Sequence, residues 1–318
     1  MKQQLFEQEH QQHWQSIEQA LDKPSSVPNS VLLTENYMLL SQQLALSKHR
    51  LYDAALIERL NKLVMRLYRE LYRYQTESRL NYYRFLVRGF PLTIYRHRVF
   101  IAVALLVFLL PGLIAGTWVY LDENAIYSIL DGSSVRQVEQ MYDPSAHKIG
   151  REREAETDIF MFGFYIQNNI SIAFRCFAGG LLAGLGTLFV LFFNGLHIGS
   201  IAGHLTRLDY VETFYPFVVG HGAFELTAIV FSGAAGLKLG YSILNPGQFS
   251  RLSALRLAGR ESIPMLYGIV LMLVIAAFME AFWSSNASLP ISVKYTVGAI
   301  CWALVLLYSF SGKRFESR

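Results

Sequence analysis

Between Val99 and Val119 the chain runs for 21 residues without a single charge. Wound as a helix, that stretch is about 31 Å long, enough to cross the hydrocarbon of a bilayer. Pro111 and Gly112 give it a place to kink. Further apolar stretches follow from Ile159 to Leu205 and at about Pro216–Leu239, Ile263–Trp283 and Val293–Ser311. Only 16% of the residues are charged, against about 25% in a soluble domain. A water-soluble enzyme, a disordered chain, a collagen and a disulfide scaffold are therefore set aside. Cys176 and Cys301 both sit inside apolar runs and imply no disulfide framework. The expected fold is an all-α polytopic transmembrane bundle, five helices being clear, with an N-terminal soluble helical module.

Charge is distributed by region. The net formal charge is +5 over residues 1–98, −5 over 120–169 and +4 over 170–318. Basic segments stay on the cytoplasmic side of a membrane, so the alternation predicts topology. It is too sparse to argue for nucleic acid. The expected division is a cytoplasmic helical module over 1–98, a first crossing over 99–119, an extracytoplasmic loop over 120–158 and a membrane core over 159–318. The start, MKQQLFEQEHQQHW, holds no apolar leader, so the first crossing is expected to act as an uncleaved anchor. Five crossings would strand Arg251, Arg256, Arg260 and Lys313-Arg314 outside. The positive-inside rule thus favours six, with the extra one between 159 and 215. Asn194–His204 is polar for a lipid-facing helix, and a short or broken helix shielded by neighbours is the expected solution.

In the N-terminal module Leu56, Leu60, Leu63, Leu67, Leu71 and Tyr74 make one apolar stripe at helical spacing, with Arg59, Lys62, Arg66, Arg69 and Arg73 on the other faces. Pro24 and Pro28 break the chain between two helical stretches. The basic face reads as solvated, and Arg84, Arg88, Arg96 and Arg98 are placed to meet anionic headgroups. Between 241 and 262, Asn245-Pro246-Gly247 makes a turn. Arg251, Arg256 and Arg260 then flank Leu252, Leu255 and Leu257. That pattern predicts an amphipathic elbow on the cytoplasmic interface, a face for lipid or a soluble partner. Glycines four apart, at 180/184, 195/199/203 and 236/240, let helix backbones approach, either in a compact bundle or along a homodimer seam.

Ionisable and amide groups inside membrane helices are the candidate functional residues. Asn168 and Asn169 precede Arg175 in the second apolar stretch, and Asn194 lies further on. His221 and Glu225, four apart, share a helix face. Lys238 and Glu280 lie near helix ends, where long side chains reach the interface. Arg175 is expected to answer a carboxylate, Glu225 being one candidate, or a helix C-terminus. Two uses of His221 and Glu225 stay open. One is a hydrogen-bonded clamp between helices; the other is a proton path or metal site, to which His197 and His204 could contribute. HGAFE is not the HExxH metalloprotease signature, and no GxSxG, Walker A, dinucleotide fingerprint or CxxC is present. No cofactor is expected.

Asn168-Asn169-Ile170, Phe177-Ala178-Gly179-Gly180, Asn194-Gly195, His221-Gly222 with Glu225, Ser232-Gly233-Ala234-Ala235-Gly236-Leu237, Pro246-Gly247 and Glu280-Ala281-Phe282 follow one another in an order that resembles the stage II sporulation protein M (SpoIIM) family of integral membrane proteins. Upstream, Arg59-Leu60-Asn61-Lys62 with Leu67-Tyr68 resembles the cytoplasmic module of its longer bacterial members. The resemblance implies a non-enzymatic membrane scaffold or regulator at the bacterial inner membrane; a homo-oligomer, most simply a dimer, is expected because closed two-fold assemblies are the commonest. Its namesake works with cell-wall hydrolases, and longer members sit beside genes for AAA ATPases, so both are implied partner classes. The rival expectation is a transporter or channel, proton-coupled through His221, Glu225 and Arg175.

Overall fold

The computed structural model describes residues 3–22, 30–79, 82–146 and 155–315. Helices dominate, and no strand occurs among the described residues. The chain divides into two compact units, Met1–Tyr83 and Arg84–Arg318. The boundary precedes the position expected from sequence, so residues 84–97 belong with the membrane core.

The first unit is three helices, α1 (Gln3–Asp22), α2 (Ser30–His49) and α3 (Ala54–Arg79). Leu56, Leu60, Leu63 and Leu67 of the predicted stripe pack with Phe6, Trp14, Ile17, Leu33, Leu40 and Leu44 in one core. Leu71 and Tyr74 lie outside the described side chains. The basic face is not simply solvated. Arg59 forms a two-pronged bond to Glu18, 3.0 Å on each arm, and lies over the Trp14 ring. Arg66 reaches Asp22 at 2.5 Å. Two arginines of α3 thus fix α1 in register, with the planar fork supplying direction as well as charge.

The unit boundary falls within the short α4 (Tyr82–Arg84), and a π-helical segment over Phe85–Gly89 and α5 (Phe90–Arg96) open the second unit. The long helices follow: α6 (Arg98–Leu121), the short α7 (Gly132–Tyr142), α8 (Ala155–Ala178), α9 (Leu185–Arg207), α10 (Val211–Leu244), α11 (Arg251–Phe278) and α12 (Ile291–Phe310). A π-helical turn, Met279–Ser284, extends α11. Five helices are long and apolar enough to cross a membrane: Arg98–Leu121, Leu185–Arg207, Val211–Leu244, Arg251–Ser284 and Ile291–Phe315. The sixth helix, α8, carries Gln167, Asn168, Asn169 and Arg175, which lower its apolarity. The end of α12 returns to the start of the bundle. Tyr308 donates to the Leu86 carbonyl, Arg88 stacks on Phe315, and Gly312 touches the Pro91 carbonyl. The end of α12 thus lies beside the start of α6, the arrangement that six crossings would give.

Two expectations are corrected. The Asn194–His204 stretch is not broken, because α9 runs through it without interruption. The break falls instead at 179–184, where Ala183 and Gly184 take positive φ values of 53° and 88°. The apolar run 159–205 is thereby folded into the hairpin α8–α9. Nor is 251–262 a separate elbow; Ser250 caps α11 and Arg251, Arg256 and Arg260 lie, exposed, on the opening turns of that continuous helix.

Glycine determines how the helices meet. A Cβ on Gly195, Gly199 or Gly203 would lie 2.0–2.2 Å from the carbonyls of Phe108, Gly112 and Gly116 respectively. Helices α6 and α9 therefore run parallel, backbone against backbone. In the same way a Cβ on Gly180 would lie 2.1 Å from the Gly236 carbonyl oxygen and one on Gly240 2.3 Å from the Gly184 nitrogen, so the α8–α9 hairpin packs directly on α10. These stripes are filled from within the chain and are not open to a second copy. Helix α10 is the axle: 67% of its apolar window is buried, against 17–44% for the other four.

The acidic segment between α6 and α8 is partly a folded cap. Ala125, Ile126, Leu130 and Val135 pack on Val119, and Tyr142 packs with Leu205, Phe214 and Phe217 at the ends of α9 and α10. Asp131 caps α7, accepting from the Ser133 and Ser134 amides and hydroxyls, which hold its carboxyl far below the ordinary aspartate range. The charge run at 151–154 lies outside the described residues.

Candidate functional site

The four-residue spacing of His221 and Glu225 places both on one face of α10, and the π-helical turn of α11 brings Glu280 to meet them. One ligand-capable atom from each lies within 4.8 Å of the others. A π turn widens the helix by one residue per turn, and such turns recur at functional sites. Here it displaces Glu280 and Ser284 toward α10. Ser284 Oγ lies 3.1 Å from His221 Nδ1, and the Lys294 ammonium, on the first turn of α12, donates to the Ser284 carbonyl at 2.7 Å. Lys294 is 0% exposed. Close packing holds the approach: Gly220 lies against Met279 and Trp283, and Gly298 against Val219.

From α8, Asn169 completes the group. It is 1% exposed and lies beside the Glu225 carboxylate. Its Oδ1 accepts from Asn168 Nδ2 at 3.0 Å, while its own Nδ2 is buried with no hydrogen-bond partner. Helix α8 is pinned in place by Ser232 Oγ donating to the Ala173 carbonyl and Thr187 Oγ1 donating to the Cys176 carbonyl. Four helices therefore contribute to one buried polar cluster.

The remaining candidates go elsewhere. Arg175 is exposed on α8, six residues past Asn169 and on a different face; it does not answer Glu225. Asn194 donates back to the Val190 carbonyl at 2.7 Å, which is how an amide is accommodated within an unbroken apolar helix. His197 stacks on Phe193, and His204 Nε2 lies 2.8 Å from Glu139 of α7, so neither joins His221. Lys238 pairs with Glu261, whereas Glu280 turns inward rather than out to an interface. Lys294 and Ser284 were missed by sequence reasoning. A lysine at the start of a last helix reads as interfacial, and only the inward turn of Glu280 gives it something to serve.

The described cavities lie apart from this cluster. One, about 530 Å³, opens between α6, α10 and α12, is lined by Leu105, Phe108, Phe231 and Trp302, and carries Arg98 and Lys313 at one end. A second, about 410 Å³, follows the α6–α9 seam, and a third, about 290 Å³, lies between α10 and the start of α11.

Fold and site together define a polytopic helical membrane protein with an ionisable cluster inside its bundle. Residues 104–285 match the family described as Stage II sporulation protein M, and residues 4–73 match a domain of unknown function, DUF8413. The first match covers more than half of the chain, which belongs to the Stage II sporulation protein M family. An uncharacterized protein of Methanocaldococcus jannaschii is 31% identical over 85 residues, a match covering 26% of this chain and 48% of that protein. The chain thus spans about half the length of that curated relative. No solved structure matches.

Proposed function

We propose that this family member is a non-enzymatic scaffold or regulator of an envelope-associated complex at the bacterial inner membrane, with its N-terminus cytoplasmic. The observation that carries this reading is the backbone-to-backbone interlock of α6 with α9 and of the α8–α9 hairpin with α10. Alternating access moves one group of helices against another. Interdigitated glycines resist such sliding, because every shift drives a carbonyl into a backbone. A rigid bundle suits a platform. The three-helix unit, with the exposed Arg251, Arg256 and Arg260 at the start of α11, offers faces to a soluble partner such as an AAA ATPase. The folded cap built on α7 faces the envelope, where a cell-wall hydrolase would dock. Such platforms act as homo-oligomers, two-fold assemblies being the commonest closed form.

In-cell crosslinking of tagged protein at native level, followed by membrane purification and mass spectrometry, tests the reading. Stable recovery of an ATPase or wall hydrolase supports it. Recovery of the protein alone, with a normal envelope on deletion, overturns it.

Buried His221 with half-buried Glu225 and Glu280 favours one second reading, a proton-coupled transporter or channel. Under it, Glu225→Gln abolishes flux in reconstituted vesicles while the protein still assembles. A mutant that loses assembly points to a clamp instead.

A further inference from the structure

We propose that His221, Glu225 and Glu280 form a binding site for a divalent transition ion of the zinc type, inside the membrane, between α10 and the π turn of α11. The proposal stands whether the protein is a platform or a transporter. One imidazole and two carboxylates are three ligands of the kinds zinc takes. The imidazole favours a borderline ion over calcium or magnesium, whose sites are built of oxygen alone. Their ligand atoms lie within 4.8 Å of one another. A tetrahedral ion with bonds of about 2.1 Å needs separations of about 3.4 Å, within reach of side-chain rotation. Ser284 Oγ, 3.1 Å from His221 Nδ1, orients the ring and leaves Nε2 to face the carboxylates. A hydrogen bond behind a ligating histidine is the usual support of such a ligand.

A second observation points to the same occupant. Asn169 Nδ2 is buried beside the Glu225 carboxylate but has no acceptor at normal hydrogen-bond distance, and a group bound between them would give it a closer one. Three protein ligands leave a tetrahedral ion one place for a ligand from solvent, and the Asn169 amide is positioned to donate to it. The flanking pairs do not compete, since His204 is engaged by Glu139 and Lys238 by Glu261.

The test uses the full chain, purified in detergent, stripped with chelator and titrated with Zn²⁺ alone. About one equivalent bound per chain is expected, with Ca²⁺ and Mg²⁺ failing to displace it at equal concentration. Glu225→Gln and Glu280→Gln should each weaken binding at least tenfold, while Glu261→Gln leaves it unchanged. X-ray absorption of the zinc-loaded natural protein needs no variant, and should show one imidazole with oxygen ligands. Failure of the natural protein to hold zinc, a first shell with two imidazoles or none, or undiminished binding by both folded glutamine variants would each overturn the site. Zinc binding without any recovered partner would leave the site standing and sink the platform reading, so the two fail separately.

Discussion

Gly199 of α9 lies against Gly112 of α6 so closely that a Cβ on Gly199 would sit 2.1 Å from the Gly112 carbonyl oxygen. The contact is backbone against backbone, so no rotamer change can relieve an added methyl. It repeats one turn along in each direction, at Gly195 with Phe108 and at Gly203 with Gly116. In lipid, where no hydrophobic force drives helices together, such close approach is what holds them.

Gly199→Ala is therefore expected to destabilise the bundle. Alanine gains up to about 1 kcal/mol over glycine in helix propensity, but overpacking costs about 1–3 kcal/mol, and here the obstacle cannot move. Gly163 of α8 has nothing within 4 Å of its Cβ position, so Gly163→Ala should be neutral or slightly stabilising. Thermal unfolding in detergent separates the two. Equal behaviour of both variants would refute the interlock.

Because α12 returns to α5, Lys313 is expected on the same side of the membrane as the start of α6, and the 122–146 cap on the opposite side. Cys176 and Cys301 are buried and should stay silent toward an impermeant maleimide. A cysteine at the exposed Tyr127 should label in intact cells, and one at Lys313 only after permeabilisation. Labelling of both from the same side would make the number of passes odd.

How much of this was legible in sequence varied with the physics involved. The α3 stripe and the apolar helices follow from periodicity and composition, which are local. The pairing of His221 with Glu225 is a spacing on one helix and was readable for that reason. Glu280, Ser284 and Lys294 were not, because a π turn carries no sequence signature and the meeting of three helices is a tertiary fact. Of the two roles open to Arg175, the structure keeps the helix C-terminus: it lies in the last turn of α8, exposed and on a different face from Asn169. Asn194 suggested a broken helix because its polarity was visible and its back-bond to Val190 was not.

Lys294 offers a sharper check on the cluster. Its ammonium is 0% exposed and donates to the Ser284 carbonyl. Lys294→Met keeps the volume but removes charge and donor. Leaving a buried acceptor unsatisfied costs about 1–3 kcal/mol, more beside charged groups. A fall in Tm is expected, larger than for Lys313→Met on the exposed tail. Should Lys294→Met unfold no earlier than Lys313→Met, Lys294 is not a structural member of the cluster.

The cap on α7 should respond to acid through Asp131. Four hydrogen bonds from Ser133 and Ser134 favour its ionised form and hold its folded pKa well below the ordinary value of about 3.9. For a carboxylate with a depressed folded pKa, the stabilisation is complete above the unfolded value. It is lost as pH falls from there through the folded value. Amide exchange in 132–142 should thus be slow and flat from pH 8 to about pH 5 once corrected for intrinsic chemistry, then accelerate on further acidification. Asp131→Asn keeps an acceptor without a titrating group, so its protection should be weaker at neutral pH but lack the acid-dependent loss. Asp131→Ala should exchange fast throughout. An acid loss in Asp131→Asn as steep as that of the natural protein would assign the transition to another carboxylate.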